Sequence, residues 1–412
     1  MLHPGRPAPD AMLAAPPDPF APATLGPLRL RNRIVKAATF EGMSRDGLVS
    51  EPLVEYVTRF AGGGVGMTTL AYCAVSPEGR TYRHQIWMRP AALPGLRRLT
   101  DAVHAEGAAA AIQLGHAGWF ANPRASGAPA LAPSRVFSPY GMGFPRAMRD
   151  ADFVRLRGAH ADAARLALEA GFDALEIHMG HGYLLSQFLS PYTNRRRDAW
   201  GGSLENRARF PREVALAVRE AVGSRAAVYA KLNMADGFRG GLEVDEGVSV
   251  ARWLEADGAL DALQLTGGFT GRTPMWLMRG EVPLREMIER ERSTLRRLGM
   301  RLLAPSLVKA HPFEEAFFLP QARRVRAALS LPLMLLGGVT RLETIRGALR
   351  EGFEFVAMAR ALLREPDLVR RYQTAGAAES LCTHCNRCMV EMERGGTRCV
   401  LVDPPEPTAP LS

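Results

Sequence analysis

The run EIHMGHGY places His178, His181 and Tyr183 within six residues of one another. A histidine ring can donate a hydrogen bond to a carbonyl oxygen and a phenol can deliver a proton, so the trio has the parts to polarise and protonate a carbonyl compound. A lone histidine more often caps a helix or fills a core edge. Two of the chain's nine histidines beside a tyrosine point instead to a site. A zinc pair is the rival reading, weakened because the two rings stand three apart with no third ligand at metal-binding spacing. Lys231, in AKLNMADG, sits mid-way along an apolar run, where a buried ammonium is costly unless it meets an anion. Either it forms a Schiff base or it supports an electron-rich cofactor. Gln113 ends another apolar run, with His116 beyond it.

Cys382, Cys385 and Cys388 are separated by two residues each, and Cys399 follows after ten more. Thiolates so spaced can converge on one ion or cluster, and spacing alone does not choose between iron–sulfur, zinc and no metal. Five cysteines in 412 residues, four of them crowded together, do not form a secreted disulfide framework.

These residues need a scaffold. Short apolar runs lie near Ile34 to Ala38, Met67 to Cys73, Ala109 to Leu114 and Asp173 to His178, and again near Ala227 to Leu232, Asp261 to Thr266, Pro332 to Leu336 and Phe353 to Ala357. Helix-length sequence separates them, which predicts eight βα units closing an α/β barrel, a (β/α)8 or TIM barrel. Ala159 to Ala170 repeats its apolar positions three and four apart and is followed by Gly171, a helix stop; Ser203 is the expected N-cap of the helix after strand four. Residues 267 to about 319 are too long for a loop and predict a helical excursion after strand six, serving as a lid or a subunit contact in a homo-oligomer. Residues 1–20, rich in proline and alanine, predict an extended arm, 24–376 the barrel, and 377–412 a C-terminal Cys-rich segment and tail.

In such a barrel the working groups sit at the carboxyl ends of the strands, and a phosphate is often held after strands seven and eight. There the chain has Gly337 and Gly338, then Ala359 and Arg360 at a helix start. Glycine admits backbone amides to an anion, and arginine adds a planar cationic fork.

The chain carries 52 Lys plus Arg against 42 Asp plus Glu, a net charge of +10, yet only three lysines, Lys36, Lys231 and Lys309. Its arginines recur singly on predicted outer helix faces rather than in a stripe with aromatics, which argues against nucleic-acid binding. Arg195, Arg196 and Arg197 form the only tight run in the barrel, an anchoring loop or a solvated turn. No apolar run approaches the roughly 18 residues of a membrane span, and the start lacks a signal-peptide pattern. A soluble, cytoplasmic protein is expected.

Taken together, RNRIVKAA (31–38), VSPEGR (75–80), IQLGHAG (112–118), the strand-four run, FLSPYTNRRRDAWGGSLENR (188–207), LLGGV and MARALLREPDL resemble the Old Yellow Enzyme family of FMN-dependent NADH:flavin oxidoreductases over residues 24 to 402. The resemblance implies FMN over the barrel mouth, with Ala37, Ala38 and Thr39 against one face and Tyr72 nearby. It also implies Gln113 on the pyrimidine ring, Lys231 beside N1 and O2, and Gly337, Gly338, Ala359 and Arg360 on the phosphate. By the same resemblance NADH or NADPH reduces FMN, His178 and His181 hold the oxygen of an unsaturated carbonyl substrate, and Tyr183 protonates its α-carbon. Phe40 departs from the pattern, standing where relatives carry a small polar residue near flavin O4, with Thr39 one step earlier on the opposite strand face.

The cysteine segment resembles that of the 2,4-dienoyl-CoA reductase branch, where a 4Fe-4S cluster carries electrons between flavin and a partner, although there the second and third cysteines are three residues apart. The 412 residues hold no second dinucleotide-binding domain, so a bound cluster is expected to need a redox partner protein. The leading expectation is an ene-reductase. Phe40 and the cysteines set beside it an FMN-binding electron-transfer or sensing protein with little turnover, and Lys231 alone would suit an aldolase.

Overall fold

The computed structural model describes residues 17–291, 294–376, 378–393 and 395–403. Eight parallel strands, β1 (Ile34–Lys36), β2 (Met67–Ala74), β3 (Ala109–Gly115), β4 (Ala174–Met179), β5 (Ala227–Asn233), β6 (Ala262–Thr266), β7 (Leu333–Leu336) and β8 (Phe355–Met358), pair in sequence order and close into a barrel. Each lies within two residues of its sequence expectation. The strands are apolar on both faces because helices cover the outside and side chains fill the inside, which is why they read as continuous runs.

Ser203 caps the helix Leu204–Val222, its hydroxyl accepting from the backbone of Asn206. The predicted helix ending before Gly171 starts earlier than expected, at Asp150, and Gly171 follows with φ 90°. Around the barrel the scattered arginines tie neighbouring helices to one another: Arg97 to Glu169, Arg157 to Glu213 and Arg212 to Asp257, at 3.1, 2.8 and 2.6 Å. Single spacing suits this use. The Arg195–Arg197 run proves to be an anchor, with Arg196 Nη1 donating to the carbonyls of Pro133 and Met148.

A hairpin that no sequence pattern signalled precedes the barrel. Ala23–Leu25 pairs antiparallel with Leu28–Leu30, and Ala23, Leu25 and Leu30 pack against Val35, Met67 and Ala109 at the amino ends of the strands, closing the floor of the barrel. Three-residue strands show no periodicity to find. The expected extended arm falls mostly on residues 1–16 and the tail on 404–412, outside the described residues.

The excursion after β6 is helical, through Pro274–Leu277, Leu284–Arg290 and Thr294–Leu307, before the packing helix Leu319–Arg326. Beyond the barrel residues 378–393 and 395–403 cross the mouth as a strap, with one 3-10 turn at Arg387–Glu393. The strap is tied down beside β1, where Thr397 donates from its backbone to Glu41 O (2.7 Å) and from its hydroxyl to Phe40 O (2.6 Å). Among the described residues no helix is long and apolar enough to cross a membrane.

Candidate active site

Alternation along a strand decides what the barrel axis receives. Ala174 on β4, Ala227 on β5 and Ala262 on β6 face inward and fill the lower layer. Two residues further on stand Glu176, Tyr229 and Gln264, and a further two bring His178, Lys231 and Thr266 to the top. All are buried. On β3 the same parity delivers Gln113 and then Gly115, where a Cβ would sit 2.9 Å from the Tyr72 ring and 3.2 Å from His178 Cβ. Glycine there makes room for both.

Lys231 meets an anion. Its Nζ lies 3.2 Å from Glu176 Oε2, which also accepts from Gln113 Nε2 at 2.5 Å, while Gln264 Nε2 donates to Oε1. Burial raises the Glu176 carboxyl, and the Lys231 charge opposes that rise. An ammonium engaged in this way suits electrostatic support rather than Schiff-base chemistry. Glu176 was legible only as a charge in a strand, two positions before His178.

A cavity of about 260 Å³ lies above this network, and all thirteen residues singled out for catalysis or cofactor binding line it: Ala37, Ala38, Thr39, Tyr72, Gln113, His178, His181, Tyr183, Lys231, Gly337, Gly338, Ala359 and Arg360. His178 is held with Nδ1 accepting from Gly180 N at 3.4 Å, which leaves the proton of the neutral ring on Nε2. His181, at φ 60°, is fixed by its backbone N–H on Asn233 Oδ1 (3.0 Å), with Nε2 2.8 Å from Thr266 Oγ1. Burial, with Lys231 adding to it, brings His181 down to about 3; burial, then His181 and Lys231, hold His178 well below the ordinary histidine value. Both rings are therefore neutral donors near pH 7. Tyr183 lies 4.6 Å from the His178 ring and 5.0 Å from Tyr72, centre to centre, and burial raises its phenol, which keeps the proton available. His116 lies elsewhere, its Nδ1 accepting from Gly118 N at 2.9 Å, and organises the loop after β3.

At the end of β1, Thr39 Oγ1 accepts from Lys36 Nζ, which also donates to Ala37 O at 2.7 Å. Thr39 and Phe40 both line the cavity; the Thr39 hydroxyl is engaged by Lys36, and the Phe40 ring packs edge-on to Tyr82, ring centres 5.2 Å apart. At the β7 end Gly337 and Gly338 have φ of 114° and 75°, and a Cβ on either would stand 2.5 Å from Phe318 or Phe317 of the excursion. Arg360 donates from Nη1 to Met278 O (3.0 Å), Arg279 O (2.9 Å) and Asn386 Oδ1. Among the described residues its Nε and Nη2 make no hydrogen bond.

The expected excursion supplies Leu277, Met278, Phe313, Phe317 and Phe318 to the wall, the place of a lid, while His384, Cys388, Met389, Met392 and Thr397 come from the strap, whose part in the wall no sequence pattern signalled. Cys382, Cys385, Cys388 and Cys399, all free thiols, line a second small cavity of about 20 Å³ together with Arg360 and Asn386. Thiols are the donor type that a soft metal takes. As folded here, no three His, Cys, Asp or Glu side chains among the described residues form a ligating group.

The NADH:flavin oxidoreductase / NADH oxidase family matches residues 18–263. A 4,4'-dithiodibutanoate disulfide reductase of Rhodococcus erythropolis is 53% identical over 95% of this chain and 97% of its own length. A metal reductase of Desulforamulus reducens is 32% identical over 89% of this chain and 50% of its own length. Among solved structures, a 2-naphthoyl-CoA reductase bound to 2-naphthoyl-CoA superposes with a TM-score of 0.80 at 24% identity, covering 94% of this chain and 57% of that one, a likeness of fold. The chain thus spans nearly all of the first relative and about half of the other two.

Proposed function

We propose, from the premise that the chain belongs to the NADH:flavin oxidoreductase / NADH oxidase family, that it reduces an activated acceptor held between His178, His181 and Tyr183 at the expense of NADH or NADPH. FMN, when bound, supplies the two-electron hydride relay between donor and acceptor. The residues present fit it: Gln113 and Lys231 offer donors to a pyrimidine edge, Ala37 and Ala38 a flat apolar wall, and the Gly337–Gly338 turn with the free edge of Arg360 an anion site.

For an α,β-unsaturated carbonyl, His178 Nε2–H and the Nδ1–H of His181, with Thr266 donating to its Nε2, hold the carbonyl oxygen. They stabilise the negative charge that grows there as hydride reaches the β-carbon. Tyr183 gives its proton to the α-carbon. The observation that carries this reading is the convergence of two neutral histidines and a protonated phenol on one cavity above an ion-paired lysine.

A second acceptor class has its own support. The relative 53% identical to this chain is named for an organic disulfide, and Phe40, Met278, Met389 and Met392 give the cavity an apolar, polarisable wall suited to sulfur. Here hydride reaches one sulfur, the S–S bond breaks, and Tyr183 protonates the departing thiolate, giving two thiols. The four cysteines hold a soft metal centre in this reading, iron–sulfur or zinc, which metal content and the visible spectrum tell apart. Unpaired cysteines also fit a reducing compartment, the cytoplasm.

Anaerobic reduction by NADH or NADPH, followed by mixing with 2-cyclohexen-1-one or with 4,4'-dithiodibutanoate, tests the scheme. Tyr183→Phe should slow reoxidation roughly 10²- to 10⁴-fold with flavin reduction intact. A colourless protein overturns the reading. Reoxidation by neither acceptor would favour an electron-transfer or sensing flavoprotein, and unchanged reoxidation in His178→Ala would remove that histidine from its role.

A further inference from the structure

The lid and the strap meet at one buried side chain. Asn386, between Cys385 and Cys388, is 1% exposed. Its Nδ2 donates to Met278 O at 2.8 Å and to Glu281 O at 2.9 Å, and its Oδ1 accepts from Arg360. Every acceptor of that amide belongs to the lid, and Arg360 Nη1 holds Met278 O and Arg279 O as well. Nearby contacts repeat the connection. Glu281 N donates to His384 O at 3.0 Å, the Phe313 and His384 rings stack with centres 3.4 Å apart, and Arg387 pairs with Glu286 at 2.9 Å. Gly280, at φ 134°, is required here because a Cβ would stand 2.2 Å from His384 O.

Met278, Phe313 and Phe317 on the lid side and His384 and Cys388 on the strap side all line the substrate cavity. Removing this junction would therefore free the wall facing the substrate and leave the strand ends unmoved. We propose that Asn386 is a positioning residue that hangs the lid on the four-cysteine segment, so that the conformation of that segment sets substrate access to the cavity. The proposal rests on reading that cavity as the substrate site; the junction itself does not.

Asn386 sits in the left-handed region, φ 56°, a conformation that glycine also adopts. Asn386→Gly thus keeps the backbone between the cysteines and removes only the side-chain bonds. Asn386→Asp keeps the acceptor for Arg360 and loses both donors to the lid. Amide hydrogen exchange over residues 277–281 should rise at least tenfold in Asn386→Gly and by less in Asn386→Asp, with exchange in the barrel strands unchanged and flavin retained. KM for 4,4'-dithiodibutanoate or 2-cyclohexen-1-one should rise roughly tenfold in the glycine variant while kcat stays within about twofold. Gly280→Ala, a substitution on the lid whose Cβ would press on His384 O, should disturb the same junction from the other side and shift exchange and KM in the same direction. Wild-type exchange over 277–281 in both Asn386→Gly and Gly280→Ala overturns the proposal, as does a kcat that falls as far as KM rises. Failure of the wild-type protein to turn over either acceptor would defeat the reading of the cavity and leave the exchange result standing.

Discussion

The floor of the cavity and its outer wall are built in opposite ways. The floor is a charge pair, Lys231 with Glu176, braced by Gln113 and Gln264, and each of the four stands on a different barrel strand whose register is locked by its neighbours. The outer wall is lid and strap, loops and short helices joined by a few hydrogen bonds around Asn386, with His384 and Asn386 both at positive φ. A site on rigid strands holds charge in a fixed place; a wall of loops can open. The molecule puts the groups that need exact placement on the first and those that meet substrate traffic on the second.

The largest test of that contrast is at the floor. Lys231→Met should lower stability to urea by about 3–5 kcal/mol, because it leaves Glu176 buried without its partner. Lys231→Met combined with Glu176→Gln should recover most of the loss while flavin binding stays weak. Recovery of flavin binding in the double variant would show that the charge at Lys231 serves the fold alone.

A smaller effect separates the rim from both. Burial holds His181 at about 3 against an ordinary value near 6.5, so between those values the unfolded chain takes up a proton that the folded chain refuses. Stability must fall as pH drops through that window. Relative to His181→Asn, which suits the positive φ, the wild type should lose about 2.5 kcal/mol more between pH 7 and pH 4.5 in denaturant titrations. Equal slopes would mean that the ring is less enclosed than its packing indicates.

The smallest effect belongs to the strap. Cys382→Ser with Cys385→Ser should move the barrel's unfolding free energy by no more than about 1 kcal/mol, since neither side chain packs in the strand core. The same change should abolish any bound iron or zinc, read by metal analysis and the visible spectrum. Destabilisation as large as that of Lys231→Met would end the distinction between floor and wall.

Much of this was readable along the chain. The eight strands, the Ser203 cap, the helical excursion and the histidine–tyrosine trio are local patterns of spacing, and strand parity then carries such residues to one end of one barrel. The hairpin Ala23–Leu25 with Leu28–Leu30 was too short to leave a pattern, and Thr266, at the β6 end, carried no signal beyond being a threonine. Glu176 stood in plain view inside the strand-four run, yet nothing local says that a carboxylate on β4 will meet a lysine on β5.

The strap shows the limit most clearly. Spacing alone marked Cys382, Cys385, Cys388 and Cys399 as a group, while only the folded chain shows Asn386 among them holding Met278 and Glu281, more than a hundred residues away. Sequence by itself determined the barrel and which residues could reach its mouth, because helix and strand periods are properties of neighbouring residues. Tertiary structure decided the partners, the Glu176 pair, the Arg360 bonds and the junction of lid with strap, because a hydrogen bond across distant segments depends on where the backbone brings them, and no local period records that distance.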